Sequence, residues 1–238
     1  MTELAAPTPS LGRHAPAVAA RLASWAQSGA VDRLWAHDHI LWTPAPAPEI
    51  TDRLGWLTLP QVMLPEAAAL EDFAAEVAAA GITQVVLLGM GGSSLAPEVF
   101  RKVFGAAEGF LDLAVLDSTD PGAVLDRAEG LDLKRILCIV STKSGGTAET
   151  FSFLKFFYNR MADAFGEPEA GRHFIAVTDP GSALAQLAAE RRFRQLGLSY
   201  VVPHGNGPDD SARGVVQRHG RDFQHARLAL WVVKDILL

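Results

Sequence analysis

Short apolar runs alternate with longer amphipathic stretches from residue 82 to residue 190. The runs at 82–88, 111–117, 135–141 and 173–178 have the length and near-continuous hydrophobicity of strands buried on both faces. Between them, 94–104, 121–128 and 147–164 repeat apolar residues at helical spacing, and a further helix is expected at 181–190. The helix from Thr147 carries Phe151, Leu154, Tyr158 and Met161 at i, i+3, i+7 and i+10, a stripe suited to packing on a sheet. Strand alternating with helix predicts an α/β fold, a parallel sheet sandwiched by helices.

The flanks read differently. Residues 11–37 are expected as one helix, with Val18, Leu22, Trp25 and Ala26 on an apolar face. Thr43-Pro44-Ala45-Pro46-Ala47-Pro48 then acts as a semi-rigid connector, because each proline removes a donor and restrains its predecessor. Trp35, Trp42 and Trp56 around it are expected to pack against a surface. Residues 65–80 form a helix that stops with Gly81 at the C′ position. Beyond 194, Pro203 to Asp210 reads as a loop, and 221–237 as a closing helix with an apolar end, Leu228 to Val233. The expected organisation is an N-terminal helical arm and connector (1–64), an α/β domain (65–194) and a tail (195–238).

Candidate chemistry concentrates where two strands end. Gly89-Met90-Gly91-Gly92-Ser93-Ser94 follows the first run, and Ser141-Thr142-Lys143-Ser144-Gly145-Gly146-Thr147 follows the third. Each precedes a helix. A strand, a tight glycine turn and a helix N-terminus present free N–H groups and a favourable dipole to an anion. In the second loop, Thr147 and Thr150 lie one turn apart on one helical face, and Gly145 and Gly146 let the backbone come close. Glu149 reads as a first-turn capping charge. Two such loops in one sheet point to a phosphorylated small molecule. A dinucleotide fingerprint is disfavoured, because Ser94 stands where the third glycine belongs, and Asp117 lies too far on to hold a ribose. Neither loop has Walker spacing. Asp120-Pro121-Gly122 and Asp179-Pro180-Gly181 read as helix starts, Asp at N-cap and Pro at N1. The seven histidines show no metal-ligand spacing, His37-Asp38-His39 being too tight for one helical face.

Composition narrows the classes. The chain has 238 residues, 49% of them hydrophobic, with a formal charge of −6, which argues against a nucleic-acid surface. The single cysteine, Cys138, lies inside an apolar strand pattern and reads as a buried structural thiol. Met1 to Ser10 lacks the pattern of a secretory leader, and no apolar run approaches the ~20 residues of a spanning helix. A cytoplasmic protein with no membrane partner, metal or cofactor is expected.

Gly89 to Pro97 resembles the glycine-rich motif of the glucose-6-phosphate isomerase family, and Ser141 to Thr150 its sugar-phosphate segment. Trp35-Ala36-His37-Asp38 and Gly55-Trp56-Leu57 are similar to the isomerase part of bacterial bifunctional transaldolase/glucose-6-phosphate isomerases. The similarity runs from about residue 18 to 194. It implies a flavodoxin-like sugar isomerase (SIS) domain with a five-stranded parallel sheet. It also implies that Thr142, Ser144, Thr147 and Thr150 hold a substrate phosphate by their side chains and Lys143 by its backbone N–H. Gly92 and Ser93 would contact the sugar end. The implied reaction exchanges aldose and ketose phosphates through an enediol, in glycolysis and gluconeogenesis.

That reaction needs a ring-opening His, a Glu that moves the proton and an Arg for the oxyanion. This chain departs from the pattern there: Gln195 to Tyr200 replaces the expected Gly-Gly-Arg segment, and the residues of a second sugar isomerase domain have no match. No catalytic residue is therefore assigned, and the chain is expected to be inactive alone. One hypothesis is a truncated or frame-shifted gene; failure to find the Gly-Gly-Arg segment in any downstream reading frame would sink it. Association is expected through the face a second domain would cover, as a homodimer or by way of the tail. The alternative is a non-catalytic sugar-phosphate-binding module.

Overall fold

The computed structural model describes residues 10–47, 50, 51, 54, 57, 64–179 and 181–195. The chain divides into two compact units at residues 54 and 55. The expected loop at 203–210 and helix at 221–237 lie outside the described residues, as does Trp56.

In the first unit the expected single helix is two. Helix α1 spans Ala15–Gln27, and α2 spans Ala30–Trp35. The break falls at Gly29, which adopts the left-handed conformation at φ 60° that glycine enters without a Cβ penalty. A short 3₁₀ turn, His39–Leu41, follows, capped by the Asp38 carboxylate, which accepts from the Ile40 N–H at 2.9 Å. Arg33 Nε donates to the same carboxylate at 2.6 Å, tying α2 to the turn. Within this unit Trp35 and Trp42 are each more than half exposed, as are Trp25 and Leu22 of the predicted apolar face, the last at 56%. An apolar stripe specifies a buried face only where something covers it, and sequence periodicity does not supply the cover.

In the second unit a 3₁₀ turn, Leu64–Glu66, leads into helix α3, Ala67–Ala79, which buries Leu70, Phe73, Ala74 and Val77 at i, i+3, i+4 and i+7. It ends as expected, with Gly81 at C′ and φ 80°. The elements then alternate: β1 Gln84–Gly89, α4 Gly92–Phe104, β2 Leu113–Leu116, α5 Pro121–Ala128, β3 Ile136–Ser141, α6 Ala148–Phe165, the short α7 Glu167–Ala170, β4 Phe174–Val177 and α8 Ala183–Glu190. The strands lie within two residues of their predicted bounds at either end, fraying being usual there.

All pairs are parallel, in the order β2-β1-β3-β4. The described residues thus hold four named strands. A fifth position is marked by a parallel bridge between Ile175 and Arg194, where the Arg194 N–H donates to the Phe174 carbonyl at 2.8 Å. Successive strand residues serve opposite faces. Leu87, Leu137, Ile139, Ile175 and Val177 pack with α3, whereas Val86, Leu88, Cys138, Val140 and Phe174 pack with Phe153, Phe157 and Met161 of α6. Leu154 and Tyr158 of the predicted stripe are buried there too, with Phe151 partly buried against them. Burial pushes the Cys138 thiol above its ordinary range, so it stays protonated.

Two helix starts share one tripeptide and behave differently. Asp120 caps α5, its Oδ1 accepting from the Ala123 N–H at 2.9 Å, with Pro121 at N1. Asp179 does not cap α8. That role belongs to Ser182, whose Oγ accepts from the Ala185 N–H at 3.1 Å. Asp179 lies too far upstream for that role, its carbonyl accepting from the Ser182 N–H at 3.2 Å in the turn before the helix, while its own N–H donates to the Lys143 carbonyl at 3.1 Å.

Candidate functional site

The strand order positions the site. From β1 the chain crosses to β2 on one side, then returns past β1 to β3 on the other. The reversal makes a switch point between the carboxyl ends of β1 and β3, the crevice in which open α/β sheets take ligands. Gly89 pairs with Ser141 at that point, so both glycine loops leave the sheet side by side.

Close packing at Gly89 explains its residue type. A Cβ there would lie 3.2 Å from the Ser141 and Ser93 carbonyl oxygens and 3.3 Å from Ser93 Cβ, tighter than ordinary contacts. The Ser93 carbonyl is i−4 to Pro97, which has no N–H to give it, so it does not complete a helical bond. Gly91 takes φ 55° and starts α4; Gly92 and Ser93 fall in its first turn, Gly92 exposed and Ser93 buried. The Ser93 and Ser94 N–H groups donate to Met90 and Gly91 carbonyls at 3.1 Å, and the Ser94 hydroxyl to Gly91 at 3.1 Å. The first loop is therefore a self-braced turn with Gly92 at its exposed edge.

The second loop gathers hydroxyls. Thr142 Oγ1 and Thr147 Oγ1 are 2.7 Å apart, which spends Thr147 on the loop rather than on capping α6. Thr150 is wholly buried one turn further on. Its Oγ1 has no hydrogen-bond partner among the described residues, nor has the Oγ of buried Ser141. An unpaired buried hydroxyl costs about 1–3 kcal/mol, so these atoms mark a place where a polar group belongs. Ser144 is exposed and accepts from the Gly146 N–H at 3.3 Å, while the Gly145 N–H donates to the Thr142 carbonyl at 3.2 Å. Lys143 is half-buried; its carbonyl faces β4. Glu149 sits exposed in the first turn of α6, as a dipole charge would.

Of the residues singled out from sequence, Thr142, Lys143, Ser144, Thr147 and Thr150 thus surround one turn, and Gly92 and Ser93 occupy the adjacent one. Sequence reasoning missed Thr178 and Ser182, and gave Ser141 no role within its loop. Thr178 Oγ1 lies 2.9 Å from Ser182 Oγ and 3.4 Å from the Lys143 carbonyl. The available signal was the serine three residues before Ala185, a cap in its own right. Among the described residues there is no cluster of His, Cys, Asp or Glu placed to hold a metal ion, and no helix long and apolar enough to cross a membrane.

Fold and site together define an open α/β domain with paired glycine loops at its switch point. The chain belongs to the phosphoglucose isomerase family, whose model matches residues 71–191. It is 32% identical over 197 residues to a glucose-6-phosphate isomerase of Acaryochloris marina, covering 78% of this chain and 34% of that protein. A glucose-6-phosphate isomerase of Thermus thermophilus is 32% identical over 132 residues, 55% of this chain and 30% of its own. The chain thus spans about a fifth to a third of the length of the curated relatives it matches. The fold is similar to the crystal structure of a hypothetical protein from Thermus thermophilus, with TM-score 0.57 and 25% identity over 72% of this chain and 39% of that one.

Proposed function

We propose that this chain binds a hexose 6-phosphate as the phosphate-binding half of an aldose–ketose isomerase acting on glucose 6-phosphate and fructose 6-phosphate. The observation that carries the reading is the buried, unpartnered Thr150 hydroxyl beneath a loop of further hydroxyls at a helix N-terminus. Thr142, Ser144, Thr147 and Thr150 would hold the phosphate by donating their hydroxyl protons to it, aided by the Lys143 backbone N–H, and Gly92 and Ser93 would meet the sugar. The family match over 71–191 favours this reading over a non-catalytic binding module of another lineage.

Turnover asks for more than this loop. No residue of the chain is assigned to ring opening, proton transfer or oxyanion stabilisation, and a missing general base costs about 10²–10⁴-fold. The chain is expected to bind without isomerising. Protein purified from a host lacking its own isomerase, assayed in both directions, tests this; measurable turnover refutes it.

Binding is tested by thermal unfolding with saturating hexose 6-phosphate or 6-phosphogluconate, against unphosphorylated sugar. Ligand at ~100 times its dissociation constant adds about 2.7 kcal/mol, roughly 5–10 °C for a domain this size. A midpoint that no phosphorylated sugar moves would sink the proposal.

A further inference from the structure

We infer that Thr178 and Ser182 are positioning residues, which aim the Ser144 N–H into the phosphate site by holding the other side of its peptide plane. The inference rests on the hexose-phosphate reading above.

The chain of bonds has one self-consistent direction. Ser182 Oγ accepts from the Ala185 N–H at 3.1 Å, and Thr178 Oγ1 donates to the Lys143 carbonyl at 3.4 Å. Each hydroxyl has a single proton. With the Thr178 proton committed to Lys143, the 2.9 Å contact between the hydroxyls is filled by Ser182 donating to Thr178. The relay therefore runs from the N-terminus of α8 through Ser182 and Thr178 to the Lys143 carbonyl. The Asp179 N–H adds a second donor to that carbonyl at 3.1 Å.

The consequence for the site follows from peptide geometry. In a planar trans peptide the carbonyl of one residue and the N–H of the next point in opposite directions. Fixing the Lys143 carbonyl toward the 178–179 segment turns the Ser144 N–H the other way, away from that segment. Neighbouring N–H groups are spent within the chain: those of Gly145 and Gly146 donate to the Thr142 carbonyl and Ser144 Oγ. Gly145 completes the device. It sits at φ 63° beneath Ser182, and a Cβ on it would collide with the Ser182 side chain and come 3.0 Å from Thr178 Oγ1. Ser182 reaches its place because position 145 has no side chain.

The test compares binding of 6-phosphogluconate to the full chain and its variants by titration calorimetry. Thr178→Val keeps the shape of the side chain and removes the proton. It is expected to weaken binding by about tenfold, equivalent to about 1.4 kcal/mol, with the circular dichroism of the folded chain retained. Thr178→Ser restores the hydroxyl and is expected to recover the affinity, which loss of packing alone would not allow. In the wild type, the Ser144 amide resonance should move on titration, and in Thr178→Val that response should shrink. Wild-type affinity in Thr178→Val overturns the positioning role and leaves the phosphate site standing. If the wild type itself fails to bind, the functional reading falls and this inference with it. Should Thr178→Val not fold, Ser182→Ala removes the donor into Thr178; unchanged affinity there overturns the inference equally.

Discussion

Thr142 Oγ1, at the end of β3, and Thr147 Oγ1, at the start of α6, share one hydrogen bond 2.7 Å long. One hydroxyl donates, so the other keeps its proton for a third group. Thr142 is buried and Thr147 half-buried, which removes water as an easy substitute. Replacing Thr142 with Val should therefore cost about 1 kcal/mol of stability, and about tenfold or more in affinity for a hexose 6-phosphate. Urea unfolding and calorimetry measure the two effects separately; a variant that binds as the wild type does would remove Thr142 from the site.

Gly145 combines a left-handed φ of 63° with contact against Ser182. A Cβ there is strained by about 1–2 kcal/mol before any collision. Gly145→Ala is expected to abolish detectable phosphate-sugar binding while the unit still folds, since the damage lies in a loop and not in the sheet. Thermal shift with 6-phosphogluconate checks it, and a full wild-type shift would contradict it.

Gly171 makes a different demand. Its φ of −59° suits any residue, yet a Cβ would collide with the Arg191 carbonyl oxygen and sit 3.1 Å from that of Arg192. Backbone cannot yield as a flexible side chain can. Gly171→Ala should destabilise the chain by about 3 kcal/mol through overpacking, read as a lowered denaturation midpoint. A loss under about 0.5 kcal/mol, the usual range for an ordinary surface site, would show that the 191–192 segment moves freely.

In the first unit, the hydrogen bond from Arg33 and that from the Ile40 N–H hold the Asp38 carboxyl below its usual value of 3.8. A depressed pKa in the folded state contributes stability that is present above the unfolded value and lost as pH falls through the folded one. Acid should thus loosen the α2–turn junction below about pH 4, reported by fluorescence of the exposed Trp35 and Trp42. Asp38→Asn should flatten that part of the acid titration; an unchanged profile would assign it elsewhere.

Cys138 is fully buried between the strands, and burial raises its pKa. The thiolate is the reactive form, so a disulfide-exchange reagent at pH 8 should find no thiol in the folded chain. One equivalent should react in denaturant. Here the sign is reversed from Asp38: the folded state holds its proton harder, so stability is lost as pH rises above the thiol's unfolded value. Rapid native labelling would overturn this account of β3.

Legibility followed the range of the forces involved. Strands such as Ile136–Ser141 and the stripe Leu154-Tyr158-Met161 were readable because burial on a given face repeats with a local period. The same reasoning failed at α1 and α2, where Gly29 broke a continuous apolar periodicity. It failed again at Asp179. There the local signal matched that of Asp120, but the helix starts further on, at Ala183, and takes Ser182 as its cap.

The sequence by itself determined the alternating strands and helices of the α/β domain, their parallel class and the two loops rich in glycine and hydroxyls. These depend on residue type and spacing alone. Only the tertiary structure decided that β1 and β3 are neighbours, that Gly89 faces Ser141, and that Thr178 and Ser182 brace the loop from the next strand. Strand order and side-chain contacts between distant segments are set by packing and by crossover handedness, which carry no local period to read.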